Sequence, residues 1–164
     1  MRASRTWLGR LGLICWAVAA ATPADAAGSA VCALSTTSLV FGQYVPSRGG
    51  SSDFTATVYV SCTTSGTSSA IVEGTLGLIG PGTPAGRELV AGSHRLRYQL
   101  YLDPARTIPW GDGSGGTRTK AISVAVGSAA SAREAHTIYG RIRARQSNVA
   151  VGHYTGQITA VLNY

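Results

Sequence analysis

The side chains that could do chemistry are few and scattered. His94, His136 and His153 have no other His, Cys or carboxylate at metal-ligand spacing, so each reads as structural or surface-exposed. Asp53, Glu73, Glu88, Asp103, Asp112 and Glu134 form no paired-carboxylate motif of the kind general acid–base catalysis uses. The run Gly111-Asp112-Gly113-Ser114-Gly115-Gly116 matches G-x-G-x-x-G, but it neither follows a clear strand nor opens a helix, as a dinucleotide site requires. It echoes the Gly-Asp-Ser-Gly-Gly around a serine-protease nucleophile, yet an extra glycine breaks the match and no triad is signalled elsewhere. It is not a G-x-S-x-G elbow either, because Asp112 holds the first glycine position. Calcium at Asp112 is the remaining chemical reading, and a flexible loop accounts for the segment better. The expectation is therefore a non-enzyme with no metal and no cofactor.

Arginine is the most patterned of the charged residues. Arg141, Arg143 and Arg145 line one alternating face, and Arg95 and Arg97 another. Such rows suit a nucleic-acid surface or a solvated sheet face. Export favours the solvated face, so no nucleic-acid partner is expected, while an anionic polysaccharide or a membrane surface stays open. The export signal lies at the start. Arg2, Arg5 and Arg10 precede an apolar run, Leu11 to Ala21, and Ala24-Asp25-Ala26 fits the small-x-small cleavage rule. The run is about half of the ~20 residues a membrane-spanning helix needs. Ile14 before Cys15 is too large for a lipoprotein site, and no second long apolar run follows, so no membrane span is expected.

Removal of residues 1–26 changes the composition that function must be read from. Three arginines and Asp25 leave with the segment, taking the net charge from +7 to +5. Cys15 leaves too, and the remaining pair, Cys32 and Cys62, reads as one disulfide in an exported chain. Closing that loop is worth ~3–4 kcal/mol in the chain-entropy model. Charged residues make up only 13% of the 164, hydrophobic ones 45%, and 21 are Gly. That is too apolar for a disordered chain and too rich in Gly for a helical bundle.

The elements that must position these residues are strands. Phe54, Ala56, Val58, Val60 and Cys62 share one face of an alternating run. Leu96, Tyr98, Leu100 and Leu102 do the same, opposed by Arg95, Arg97, Gln99 and Tyr101. Further runs lie at Ile122–Val126, Ile138–Arg145 and Tyr154–Tyr164, with shorter ones at Ala30–Ser35, Ser38–Phe41, Ile71–Leu78 and Glu88–Val90. Turn-rich stretches separate them at Pro46–Ser52, Gly80–Gly86 and Trp110–Thr117. The pattern predicts one all-β sandwich over residues 27–164, with the disulfide joining the first strand to the Phe54–Cys62 strand. If the run ending at Tyr164 is the sixth core strand, an open sheet edge is left for strand addition by a partner; otherwise the sandwich is complete.

Ordered motifs narrow the choice. Cys32 is followed by Leu39-Val-Phe41-Gly42-Gln-Tyr44-Val-Pro46, Val58-Tyr-Val-Ser-Cys62, Gly86-Arg87-Glu-Leu89 and Leu96-Arg-Tyr98-Gln-Leu100-Tyr101-Leu-Asp103. Then come Trp110-Gly111-Asp112-Gly113, Tyr139-Gly140-Arg141-Ile142-Arg-Ala-Arg-Gln146 and Gly152-His-Tyr154-Thr155-Gly-Gln-Ile158-Thr-Ala-Val-Leu-Asn-Tyr164. The set resembles the spore coat protein U domain family, the pilin domain of archaic, Csu-type chaperone–usher pili. The resemblance implies an incomplete immunoglobulin-like β-sandwich lacking its final strand. A periplasmic chaperone lends a strand to the groove, and at the outer-membrane usher a neighbouring pilus subunit's N-terminal extension replaces it. It implies that Cys32 and Cys62 match the family disulfide, and that Trp110, Gly111 and Asp112 match a family turn. Phe41, Tyr98, Leu100, Ile142, Ile158, Leu162 and Tyr164 become candidates for the core or acceptor groove.

One departure stands out. Only Ala27-Gly28-Ser29-Ala30-Val31 precede Cys32, a reach of about 17 Å without an alternating apolar pattern. The expectation is a subunit that accepts a strand but donates none, at the tip or in a minor position, reaching the periplasm and then the cell surface. The competing readings are a secreted glycan-binding sandwich that folds alone and a spore or surface coat protein.

Overall fold

A computed structural model describes residues 29–164 apart from 42–43, 46–48, 84–85 and 147–148. The expected export signal, residues 1–26, lies outside the described residues, as do parts of the two turns around Pro46 and Pro84. The described chain is all β. Its strands are β1 (Ala30–Thr36), β2 (Ser52–Thr64), β3 (Ala70–Ile79), β4 (Gly82–Thr83), β5 (Gly86–Ala91), β6 (His94–Tyr101), β7 (Lys120–Val126), β8 (Ser131–Ile142) and β9 (Thr159–Asn163). They form two antiparallel sheets, one ordered β1-β2-β8-β6-β5-β4 and one ordered β7-β3-β9.

Period-2 alternation builds both inner faces. On the larger sheet Val58, Val60, Cys62, Leu89, Leu96, Tyr98, Leu100 and Ile142 are buried; on the smaller, Leu76, Leu78, Ile122, Val124 and Val126 are. The two sets pack as one core, which makes the molecule a β-sandwich. Phe54 faces Gly140 across the β2–β8 ladder, and a Cβ at Gly140 would overlap the Phe54 ring. Phe41 stacks edge-on against Phe54 at 4.1 Å and Tyr98 at 5.1 Å between centroids, sealing that end of the core.

Four sequence expectations need correction. Ser38–Phe41 is not a strand; its neighbour Thr37 instead anchors to β2 through its amide on Thr57 O at 3.0 Å. The strand expected over Ile138–Arg145 begins at Ser131 and stops at Ile142, so Arg143 and Arg145 lie beyond it. Gln99 and Tyr101, assigned to a polar face, are buried. The loop 103–109 folds across that face, with Asp103 accepting the amides of Thr107 and Ile108 and Arg106 lying over the Tyr139 ring. Finally, the run Tyr154–Tyr164 is divided between the two sheets. Thr155 exchanges backbone hydrogen bonds with Val90 of β5, whereas Thr159–Asn163 pairs with β3.

Candidate functional site

Two strands at opposite ends of the chain border one side of the sandwich. β1 is the last strand of the larger sheet and β9 the last of the smaller. Each has a backbone edge that no strand pairs with among the described residues. The edges face each other. At one end the Cys32 amide donates to Tyr164 Oη at 3.1 Å. At the other, Thr36–Leu39 line a common cleft of about 260 Å³ with Gly156 and Ile158. β1 and β9 therefore run antiparallel across a seam with no backbone ladder between them.

The seam has an apolar floor and a polar rim of Thr36, Thr37 and Ser38, and it is incompletely covered. Leu39, Val58, Leu78, Ile138 and Ile158 line the cleft. The inward residues of the bordering strands (Ala30, Cys32 and Leu34 on β1, Ala160 and Leu162 on β9) are only partly buried. By contrast Val60 and Leu76, one strand further in, have 0% exposure. An apolar row that is half covered beside two unpaired edges has the geometry of a strand-addition site. β1 has seven residues, so the seam is about 23 Å long at ~3.3 Å per residue. A strand laid in it would run parallel to one border and antiparallel to the other.

Local chemistry sets both borders. Cys32 and Cys62 face each other directly on β1 and β2, and their disulfide holds β1 to the larger sheet. The chain enters β9 by crossing between sheets at Gly156, where a Cβ would come within 2.6 Å of Leu89 Cδ2. That close approach lets one alternating run serve first β5 and then β3.

The Trp110 turn fastens the sheets together. Trp110 is 1% exposed. Its indole N–H donates to Leu76 O of β3 at 3.0 Å, while its amide donates to Leu100 O of β6 at 2.8 Å. The Leu78 amide donates to Gly111 O at 3.0 Å. Arg87 of β5, buried as deeply, places Nη2 on both Leu78 O and Trp110 O at 2.8 and 3.0 Å. Burial lowers the Arg87 pKa and raises that of Tyr98, its partner across the β5–β6 ladder. Asp112 is exposed and accepts from the Ser114 hydroxyl and amide, and the hydroxyl bond first of all holds its pKa below the usual value.

The structure thus separates the residues singled out from the sequence. Ile158 lines the cleft and Leu162 borders it. Tyr164, 59% exposed, spans its far end. Tyr98, Leu100 and Ile142 belong to the closed core, and Phe41 to its aromatic end. Leu39, Val58, Leu78 and Ile138 were not singled out for the groove, although Val58 and Ile138 sit in alternating runs and Leu78 ends a shorter strand candidate. Arg87 was visible only as part of the Gly86–Leu89 motif.

The family model of the Spore Coat Protein U domain matches residues 18–161. No curated protein matches the chain. No helix among the described residues is long and apolar enough to cross a membrane.

Proposed function

The chain belongs to the Spore Coat Protein U domain family, and on that premise we propose that it is a structural subunit of a chaperone–usher surface pilus serving adhesion and biofilm formation. The family is associated with such subunits and with coat structure rather than with catalysis. The observation that carries the reading is the apolar seam between the unpaired edges of β1 and β9. In this reading the sandwich is an immunoglobulin-like fold short of one strand. A periplasmic chaperone fills the seam first, and the N-terminal extension of a neighbouring pilus subunit replaces it at the outer-membrane usher. The chain travels through the periplasm to the cell surface.

The same geometry supports an acceptor that does not donate. Ala30 and Val31 already pair with Thr64 and Thr63 of β2. Between the expected cleavage point and β1 only Ala27–Ser29 remain, about 10 Å of extended chain. That is less than half of a 23 Å seam, and this shortfall supports a tip or minor position for the subunit.

Equilibrium unfolding of the exported chain tests the proposal, alone and with peptides copied from the N-terminal extensions of subunits encoded beside it. A matching peptide at 100 times its Kd should add about 2.7 kcal/mol of stability. A monomer that is equally stable with and without every such peptide would overturn the reading.

A further inference from the structure

A second site lies on the outer face of the larger sheet. Arg97 and Arg143 flank a cleft of about 110 Å³ that Gly86 and Gln99 help to line. None of its lining residues belongs to the β1–β9 cleft. The two arginines come from different segments, and Gln146 brings them together. Its Nε2 donates to Arg97 O at 2.7 Å and to Arg143 O at 3.1 Å, while its Oε1 accepts the Arg97 amide at 2.7 Å. Arg145 sits between Arg143 and Gln146 in sequence with φ of 56°, a strained backbone for a residue that carries a side chain. That left-handed residue turns the chain so that Gln146 folds back onto β6.

The charge here is unbalanced. Arg95, Arg97, Arg143 and Arg145 are exposed, and the nearby carboxylate is Glu88, at 3.9 Å from Arg95 Nε and 3.7 Å from Arg97 Nε. Four other described arginines are otherwise engaged: Arg141 and Arg106 on Asp53, Arg133 over the Tyr59 ring, and Arg87 in the core. Guanidinium groups pair with planar anions through two parallel N–H donors. The cleft has room for a group the size of a carboxylate or sulfate. Single-stranded nucleic acid would require exposed aromatic platforms for its bases, and the one aromatic residue lining the cleft, Tyr98, is 3% exposed.

We propose that the Arg97–Arg143 cleft binds the carboxylate or sulfate groups of an anionic polysaccharide. The test is titration of the full exported chain, with whatever subunit accompanies it, against polygalacturonate, dextran sulfate, a neutral dextran and single-stranded DNA. Polygalacturonate or dextran sulfate should bind, and binding should weaken as salt rises from about 0.05 to about 0.3 M. The R97Q/R143Q double variant should lose at least tenfold in affinity, and R118Q, an exposed arginine outside the cleft, less than twofold. Both cleft substitutions lie on solvent-facing side chains. E88Q, which removes the competing carboxylate, should tighten binding about two- to threefold, and this gain is readable even if the double variant folds poorly. Equal losses in R97Q/R143Q and R118Q, an unchanged E88Q, equal binding of neutral dextran, or tighter binding of DNA would each overturn the proposal.

Discussion

The two sides of the sandwich are bordered alike and finished differently. On one side β1 and β9 face each other across apolar residues: Leu39, Leu78 and Ile158 line the gap. On the other, β7 is the edge of the smaller sheet, and the Ser131–Ile138 part of β8 has no strand beyond it among the described residues. There the inward positions carry charge. Lys120 shares the face of Ile122, and Glu134 and His136 share the face of Ile138, with His136 Nε2 at 3.5 Å from the Glu134 carboxylate. Trp110 reaches into the same region, lining a polar cleft of about 170 Å³ with Lys120 and His136. Inward-pointing charge is a known way to stop an edge from recruiting another strand. One seam carries charge at its inward positions and the other an apolar floor, the contrast that the proposed strand-acceptor role requires.

The largest effects should come from the fastenings of the two sides. Trp110→Ala removes the group that ties β3 to β6 and should cost about 3–5 kcal/mol in urea unfolding. Trp110→Phe, which keeps bulk but orphans Leu76 O, should cost about 1–2 kcal/mol. The Cys32→Ser/Cys62→Ser pair opens a loop of 30 residues and should cost about 3–4 kcal/mol. Ile158→Asp separates the seam from the core. It should weaken binding of a guest strand about 100-fold, because a charge enters the apolar cleft. The chain's own unfolding should change by less than about 1 kcal/mol, since Ile158 is only partly buried. Isothermal titration beside urea melts would separate the two effects.

The protected seam predicts a smaller, pH-dependent effect. Burial lowers the His136 pKa below its ordinary 6.5, against the opposing pull of Glu134 and with help from Lys120. The unfolded chain therefore binds the proton more readily. Stability from the neutral imidazole is full above 6.5 and is lost as pH falls below it. His136→Gln should flatten that part of the stability–pH curve. Asp53 adds a weaker trend in the acid range. The Arg141 hydrogen bond, opposed by burial and aided by the charge of Arg106, holds its carboxyl below the usual value. That stability is present above the ordinary carboxylate range and fades as pH falls through the lowered value. Asp53→Asn should cost under about 1 kcal/mol, as exposed pairs do.

Much of this was legible in the alternation. The buried faces of β2, β6 and β7 follow directly from the period-2 rows around Val58, Leu96 and Val124, because a half-buried strand leaves that signature whatever it packs against. The disulfide followed from the cysteine count once Cys15 was assigned to the leader. The division of Tyr154–Tyr164 was hidden, since both halves alternate alike and only tertiary pairing tells which sheet each joins. The burial of Gln99 and Tyr101 was hidden for a related reason: a covering loop leaves no periodic mark on the strand it covers. The role of Trp110 was unreadable because its partners, Leu76 O, Leu100 O and Arg87, come from three separate strands. The polar seam escaped notice because Glu134 and His136 lie in a stretch of β8 whose alternation is masked by small residues.

Amide hydrogen exchange along β1 tests the central claim most directly. The Cys32 amide points into the seam, toward Tyr164, so by alternation the amides of Leu34 and Thr36 point there too. The account predicts that Leu34 and Thr36 exchange rapidly in the chain alone and become strongly protected when a guest strand binds, while Val58 and Val60 of β2 change little. Protection of Leu34 and Thr36 in the isolated monomer, or no change on adding a strand that binds, would contradict it.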